Sequence, residues 1–233
     1  MLIGFMSMDF ILLNGGNKMI RVVSKKESLD SQLSNAKDFV CIDCTSRNPS
    51  EFWAKGLSPF YLGPIECYDG LISKTMENAW QYAKVYDKHI NELSNPTSEY
   101  IKFRNKGFES NKANRYPMGK GKAPLYSYWK VNNNYYRLDY IEARKVIYIP
   151  LYAKAVVKTE AFQKLLEYKN KGYNIALSDF DGYNNFDYNL NYKQVINNPN
   201  KKMGHAFVIA MLLEGLIVVE NDNVIYSDEL LKM

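Results

Sequence analysis

A chain of 233 residues with 46% hydrophobic and 24% charged residues can bury one sizeable core but is short for two, so one domain is expected. Its net charge of +5 favours anionic partners such as phosphates, nucleotides or nucleic acid, yet acidic and basic residues interleave along most of its length, which argues against a uniformly basic coat. Three cysteines, Cys41, Cys44 and Cys67, form no regular framework and point to a reducing cytoplasm rather than a disulfide-stapled secreted fold.

Residues 1–13 are apolar but too short to span a bilayer. They lack a cationic leading segment and a small-residue cleavage site, so neither a signal peptide nor a membrane partner is expected. With the turn at Asn14 to Asn17, residues 1–18 read as a flexible arm or an upstream extension before a single domain over 19–233. Ile20 to Ser24 reads as a strand, Lys25 to Ala36 as a short surface helix and Phe39 to Thr45 as a second strand. Cys41 and Cys44 spell CxxC there, but residues three apart on a strand face opposite ways and would not share a metal ion.

A loop from Ser58 to Gly70, held by Pro59, Pro64 and Gly70, hands over to a helix starting near Lys74, with Ser73 or Thr75 as its cap. Met76, Ala79, Trp80, Ala83 and Tyr86 make its apolar stripe. Glu77, Gln81 and Lys84 follow at helical spacing beside it, as either a site face or a solvated edge. Helix signals recur over Glu99 to Arg104. The loop from Ser110 to Pro124 is the most basic, and Gly119 and Gly121 around Lys120 offer backbone N–H groups and charge to a phosphate. It is no P-loop, because Ala123 and Pro124 follow where Ser or Thr is required.

Tyr126 to Trp129, Lys130, Tyr135, Tyr136 and Arg137 interleave rings with charge, which suits stacking on a base or the edge of an aromatic core. Val146 to Ile149 reads as strand-like before Pro150, and Val157 to Tyr168 as an amphipathic helix ended near Gly172. Asn174 to Leu177 leads into Asp179-Phe-Asp181-Gly182, a carboxylate-bearing turn. An EF-hand loop counted from Asp179 would end on Leu190 where Glu is required, so calcium is rejected. Met203 to Glu214 is a buried apolar helix and 217–226 a terminal hairpin. His89 and His205, the only histidines, have no ligand set at metal spacing, so neither a metal nor another cofactor is expected.

The order of these pieces resembles the NADAR family of YbiA-like N-glycosidases. The residues that carry the likeness are Leu57-Ser58-Pro59-Phe60, Pro64-Ile65, Thr75-Met76-Glu77-Asn78, Gln81 with Lys84, Met118-Gly119-Lys120 leading to Trp129, the Asp179 to Gly182 turn, and Met203-Gly204 opening the last helix. The resemblance spans about residues 56–215. Asn78 stands where the family has His, Lys120 where it has Arg, and Lys201 where it has Asn. It implies an α+β fold, mainly helical around a small sheet, with N-terminal strands and a C-terminal hairpin added.

It also implies metal-free hydrolysis of the N-glycosidic bond of a ribosylated base or nucleotide, such as ADP-ribosylated guanine, with nucleic acid as a further candidate partner. On that reading Glu77, with Asp179 or Asp181, supplies the carboxylates. Gln81 orients Glu77 or a hydroxyl, Lys84 and Lys120 beside Gly119 hold phosphate or ribose oxygens, Trp129 stacks on the base, and Phe60 lines the opening loop. A non-catalytic module binding an ADP-ribose-like ligand or modified nucleic acid is the alternative.

Overall fold

The computed structural model describes residues 18–47 and 52–232. Strand β1 (Ile20–Ser24), the single turn α1 (Leu29–Gln32) and strand β2 (Phe39–Asp43) open the domain. A two-stranded hairpin, β3 (Ile65–Glu66) and β4 (Ile72–Ser73), precedes α2 (Met76–Tyr82), β5 (Lys84–Val85) and α3 (Ser98–Glu109). The hairpin of β6 (Tyr126–Val131) and β7 (Asn134–Leu138) leads to α4 (Tyr140–Ala143), which continues through a π turn at Arg144–Tyr148 into α5 (Ile149–Val156). Then come α6 (Glu160–Asn170), β8 (Asn174–Asp179), α7 (Tyr192–Asn197), α8 (His205–Leu213), the hairpin β9 (Ile217–Glu220) and β10 (Asn223–Tyr226), and α9 (Asp228–Lys232).

The fold is α+β, with strands spread over four small sheets among the described residues rather than one. In the most buried sheet β8 lies between β1 and β2, parallel to both. Its Ile-Ala-Leu run is buried on both sides, as a central parallel strand requires. Helix α8 packs against β1 and β8. Its run HAFVIAMLL is buried all round except at Leu212, so it can only be a central element. This arrangement brings the C-terminal ends of β2 and β8 to one edge, the usual position of a ligand cleft beside a parallel sheet.

Two sequence expectations are corrected. The helix carrying Glu77 ends at Tyr82, and Lys84 lies on β5, paired with Ser127. The segment Val146 to Ile149 is helical, not extended. Pro150 cannot donate a backbone hydrogen bond, and the chain accommodates it with a π turn in which Ile149 N–H reaches Arg144 O, five residues back. Buried Arg144 there bonds to the carbonyls of Val195, Ile196, Asn198 and Lys201, placing a cation at the C-terminal end of α7.

Cys41 is exposed and Cys44 buried, in keeping with opposite strand faces, and no metal-holding cluster occurs among the described residues. No helix among these residues is long and apolar enough to cross a membrane. The expectation for residues 1–18 lies, but for Lys18, outside the described residues.

Helix α2 sits on α3 at Gly107, where an added Cβ would fall 2.1 Å from the Tyr82 ring. Gly to Ala within a helix normally gains about 1 kcal/mol. Here Gly107→Ala is expected to lose about 1–3 kcal/mol through overpacking, read as a lower urea midpoint at unchanged slope.

Candidate active site

A cleft of about 220 Å³ opens at the sheet edge, between the Ser58–Phe60 loop, α2, the π turn, the Asp179–Asp181 turn and the Lys202–His205 entry to α8. Local hydrogen bonds explain why these pieces meet. The Thr75 hydroxyl accepts the Asn78 N–H at 3.1 Å and caps α2, while Glu77 N–H reaches Pro59 O at 2.9 Å, locking the first helical turn to the loop. Asn78, fully buried, donates to Ser110 O and Lys112 O and accepts from Asn114 N–H. It therefore fastens the basic loop so that Arg115 reaches the cleft.

Glu77 is buried on α2. Gln81 Nε2 donates to its Oε1 at 2.9 Å, and Lys84 Nζ donates to Gln81 Oε1 at 2.7 Å. Burial raises the Glu77 pKa above the ordinary carboxylate value, against the opposing pull of Gln81, Lys84, Arg115 and His205. Burial likewise lowers Lys84, to about 8, with Glu77 working in the opposite sense. The Lys84 ammonium lies 4.6 Å from the centre of the Trp80 ring.

The second carboxylate has the opposite environment. Asp179, at the end of β8, has Oδ2 3.0 Å from His205 Nδ1 and 3.3 Å from Ala206 N–H, and its Oδ1 accepts Asp181 N–H. Burial alone would raise its pKa, but the His205 charge and hydrogen bond, with the two backbone donors, bring it down to about 2. His205 Nε2 stands 2.8 Å from Cys44 O. Both ring nitrogens thus face acceptors, which suits the imidazolium. Although burial opposes that charge, Asp179 and the Cys44 carbonyl raise His205 above its ordinary value. Gly204 permits this packing, since a Cβ there would sit 2.1 Å from Asp179 Oδ2.

Asp181 pairs with Arg115. Tyr148, buried on the π turn, is pushed well above the usual phenol value first by burial and then by the charges of Glu77, Asp179 and Asp181.

Of the residues expected from the sequence, Phe60, Glu77, Gln81, Lys84, Gly119, Asp179 and Asp181 all line this cleft. Trp129 does not: it is buried with its ring edge-on to Tyr68 at 4.6 Å, because the alternation of β6 turns it into the core. Trp80 is the tryptophan at the cleft. Lys120 is exposed and outside the lining, where Lys122 and Lys202 stand instead. Sequence reasoning missed His205, Arg115, Tyr148 and Arg144. Only the basic character of the 110–124 loop hinted at Arg115.

Fold and site together define an α+β domain whose cleft holds one carboxyl raised by burial, Glu77, and one carboxylate paired with histidine, Asp179, amid aromatic rings and cations. The chain belongs to DUF6939, a family of unknown function whose profile matches residues 23–209. No match was found among curated proteins or among solved structures.

The buried pair sets a pH window for stability. Asp179, lowered from 3.8 to about 2, contributes fully above the unfolded value, and the contribution is lost as pH falls toward 2. His205, raised from 6.5, contributes fully below that value and loses its share as pH rises through the folded pKa. Asp179→Asn is expected to cost about 3 kcal/mol near pH 6 by leaving the imidazolium unpaired, and to flatten the acid side of the urea-stability profile.

Proposed function

We propose that this cleft hydrolyses the N-glycosidic bond of a ribosylated base or nucleotide, of the kind the NADAR-like residue order implies, with ADP-ribosylated guanine as the leading candidate. The observation that carries the reading is that two carboxyl groups with opposite surroundings line one cleft, Glu77 buried beside the Gln81 amide, where burial raises its pKa, and Asp179 paired with His205, which lowers its pKa. Cleavage of the C1′–N bond sends its electron pair to the base nitrogen, which needs a proton, and leaves oxocarbenium charge on the ribose. Glu77 supplies that proton. Asp179, kept ionised by His205, faces the developing positive charge. Water then adds at C1′ and returns a proton to Glu77, so the site is restored.

Trp80, Tyr148, Phe60 and Phe180 offer ring faces and edges to a base, while Lys122, Lys202 and Arg115 suit phosphate oxygens. Because Asp181 already holds Arg115, its role is to aim that guanidinium rather than to share in bond cleavage. A reducing cytoplasm is the compartment that three cysteines in no regular framework suit.

The test is chromatographic release of free base or ADP-ribose from ADP-ribosylated guanine in DNA, riboflavin-pathway intermediates and NAD. Glu77→Gln is expected to lower turnover by about 10²–10⁴-fold, and Lys120→Met to leave it unchanged. Activity should fall as pH rises through the raised Glu77 pKa, since the protonated form is the donor. Full turnover by Glu77→Gln would overturn the proposal. Binding of ADP-ribose without release from any substrate would favour a non-catalytic binding module.

A further inference from the structure

The chain of contacts from Lys84 through Gln81 to Glu77 has a fixed direction. An ammonium has three donors and no lone pair, so the Gln81 atom 2.7 Å from Lys84 Nζ must be the amide oxygen. The amide nitrogen, which only donates, is thereby turned to Glu77 Oε1 at 2.9 Å. Oε1 is then an acceptor whether or not Glu77 is ionised, and any proton on Glu77 must sit on Oε2. We propose that Lys84 is a positioning residue: while it is an ammonium it fixes the orientation of the Gln81 amide and so confines the Glu77 proton to the oxygen left open to the cleft.

Lys84 itself is mostly buried beneath Trp80 and already committed to Gln81, which makes it a poor candidate for a phosphate ligand. Loss of its proton removes the constraint. A neutral amine can accept from Gln81 Nε2, the amide is free to turn, and Gln81 Oε1 can take the Glu77 proton on the side away from the cleft. The neighbours that bear on this titration are few. Arg115, from the basic loop, and Lys202, before α8, face Lys84 along with Glu77. Arg115, His205 and Tyr148 face Glu77. Burial brings Lys84 to about 8, so the change falls in a range open to measurement.

The hydrogen-bond direction stands independently of substrate, whereas its role in turnover rests on the glycosidase reading. The experiment separates the two. In the full chain labelled with ¹³C at glutamate carboxyls, with the Glu77 signal assigned from Glu77→Gln, the resonance should move twice: once with its own titration and again near pH 8. Lys84→Arg, which keeps a charged donor, should abolish the second movement and extend the alkaline limb of base release. Lys84→Met should place the Glu77 titration about one pH unit higher.

A Glu77 signal indifferent to both substitutions, or a second movement that survives in Lys84→Arg, would overturn the positioning role whatever the release assay gives. Coupling seen by NMR with no release from any substrate would uphold the positioning role and overturn the glycosidase reading.

Discussion

The buried contact between Asp179 and His205 is the constraint around which the candidate site is arranged. It joins the end of the central strand β8 to the first residue of α8, and the same imidazole reaches across to the carbonyl just past β2. One side chain therefore ties three elements of the parallel-sheet layer together at the edge where the cleft opens. Removing either charge from water is costly, and only the close fit of partner, backbone donors and the bare Gly204 makes the arrangement tenable.

From that fixed point the rest of the cleft is assembled by two other buried polar devices. Asn78 uses both ends of its amide to hold the basic loop against α2. Arg144 gathers four carbonyls from the end of α7 and the segment beyond it, which leads into Lys202 and Met203. The three devices act on different segments but converge on one cavity. Of the buried charged side chains, Glu77, Arg144, Asp179 and His205 line this one opening, while Arg104 bonds to Tyr68 and Asn105 away from it.

Much of this was legible in the chain, and the exceptions have physical causes. Glu77 and Gln81 were visible because a four-residue spacing on an amphipathic pattern puts two polar groups on one helical face. Asp179 and Asp181 were visible because a β-rich run ended in a tight polar turn. His205 was hidden inside an apolar helical run, and a lone histidine carries no local spacing that reveals a partner 26 residues earlier. The reading of Trp129 failed on a period-two argument. Serine at 127 and tryptophan at 129 share the buried parity of β6, and only the pairing with β7 shows which parity faces inward. Val146 to Ile149 misled because a β-branched, aromatic run before a proline looks the same in a strand and in a π turn. Asn78 is a structural fastening and Lys120 lies outside the cleft, so neither is among the polar groups that face into it.

The π turn has a consequence that concerns residue count rather than residue identity. A π turn holds one residue more than an α turn, so everything N-terminal to it is rotated by about 100° relative to a regular helix. Tyr140, upstream of that turn, and Arg144, its first residue, both line the cleft. Among relatives of this chain, a one-residue deletion anywhere between Arg144 and Tyr148 would leave α5 seated in the core while swinging the upstream wall of the cleft out of register. Length in this short segment is therefore as informative a marker of a shared site as the presence of Glu77 or Asp179.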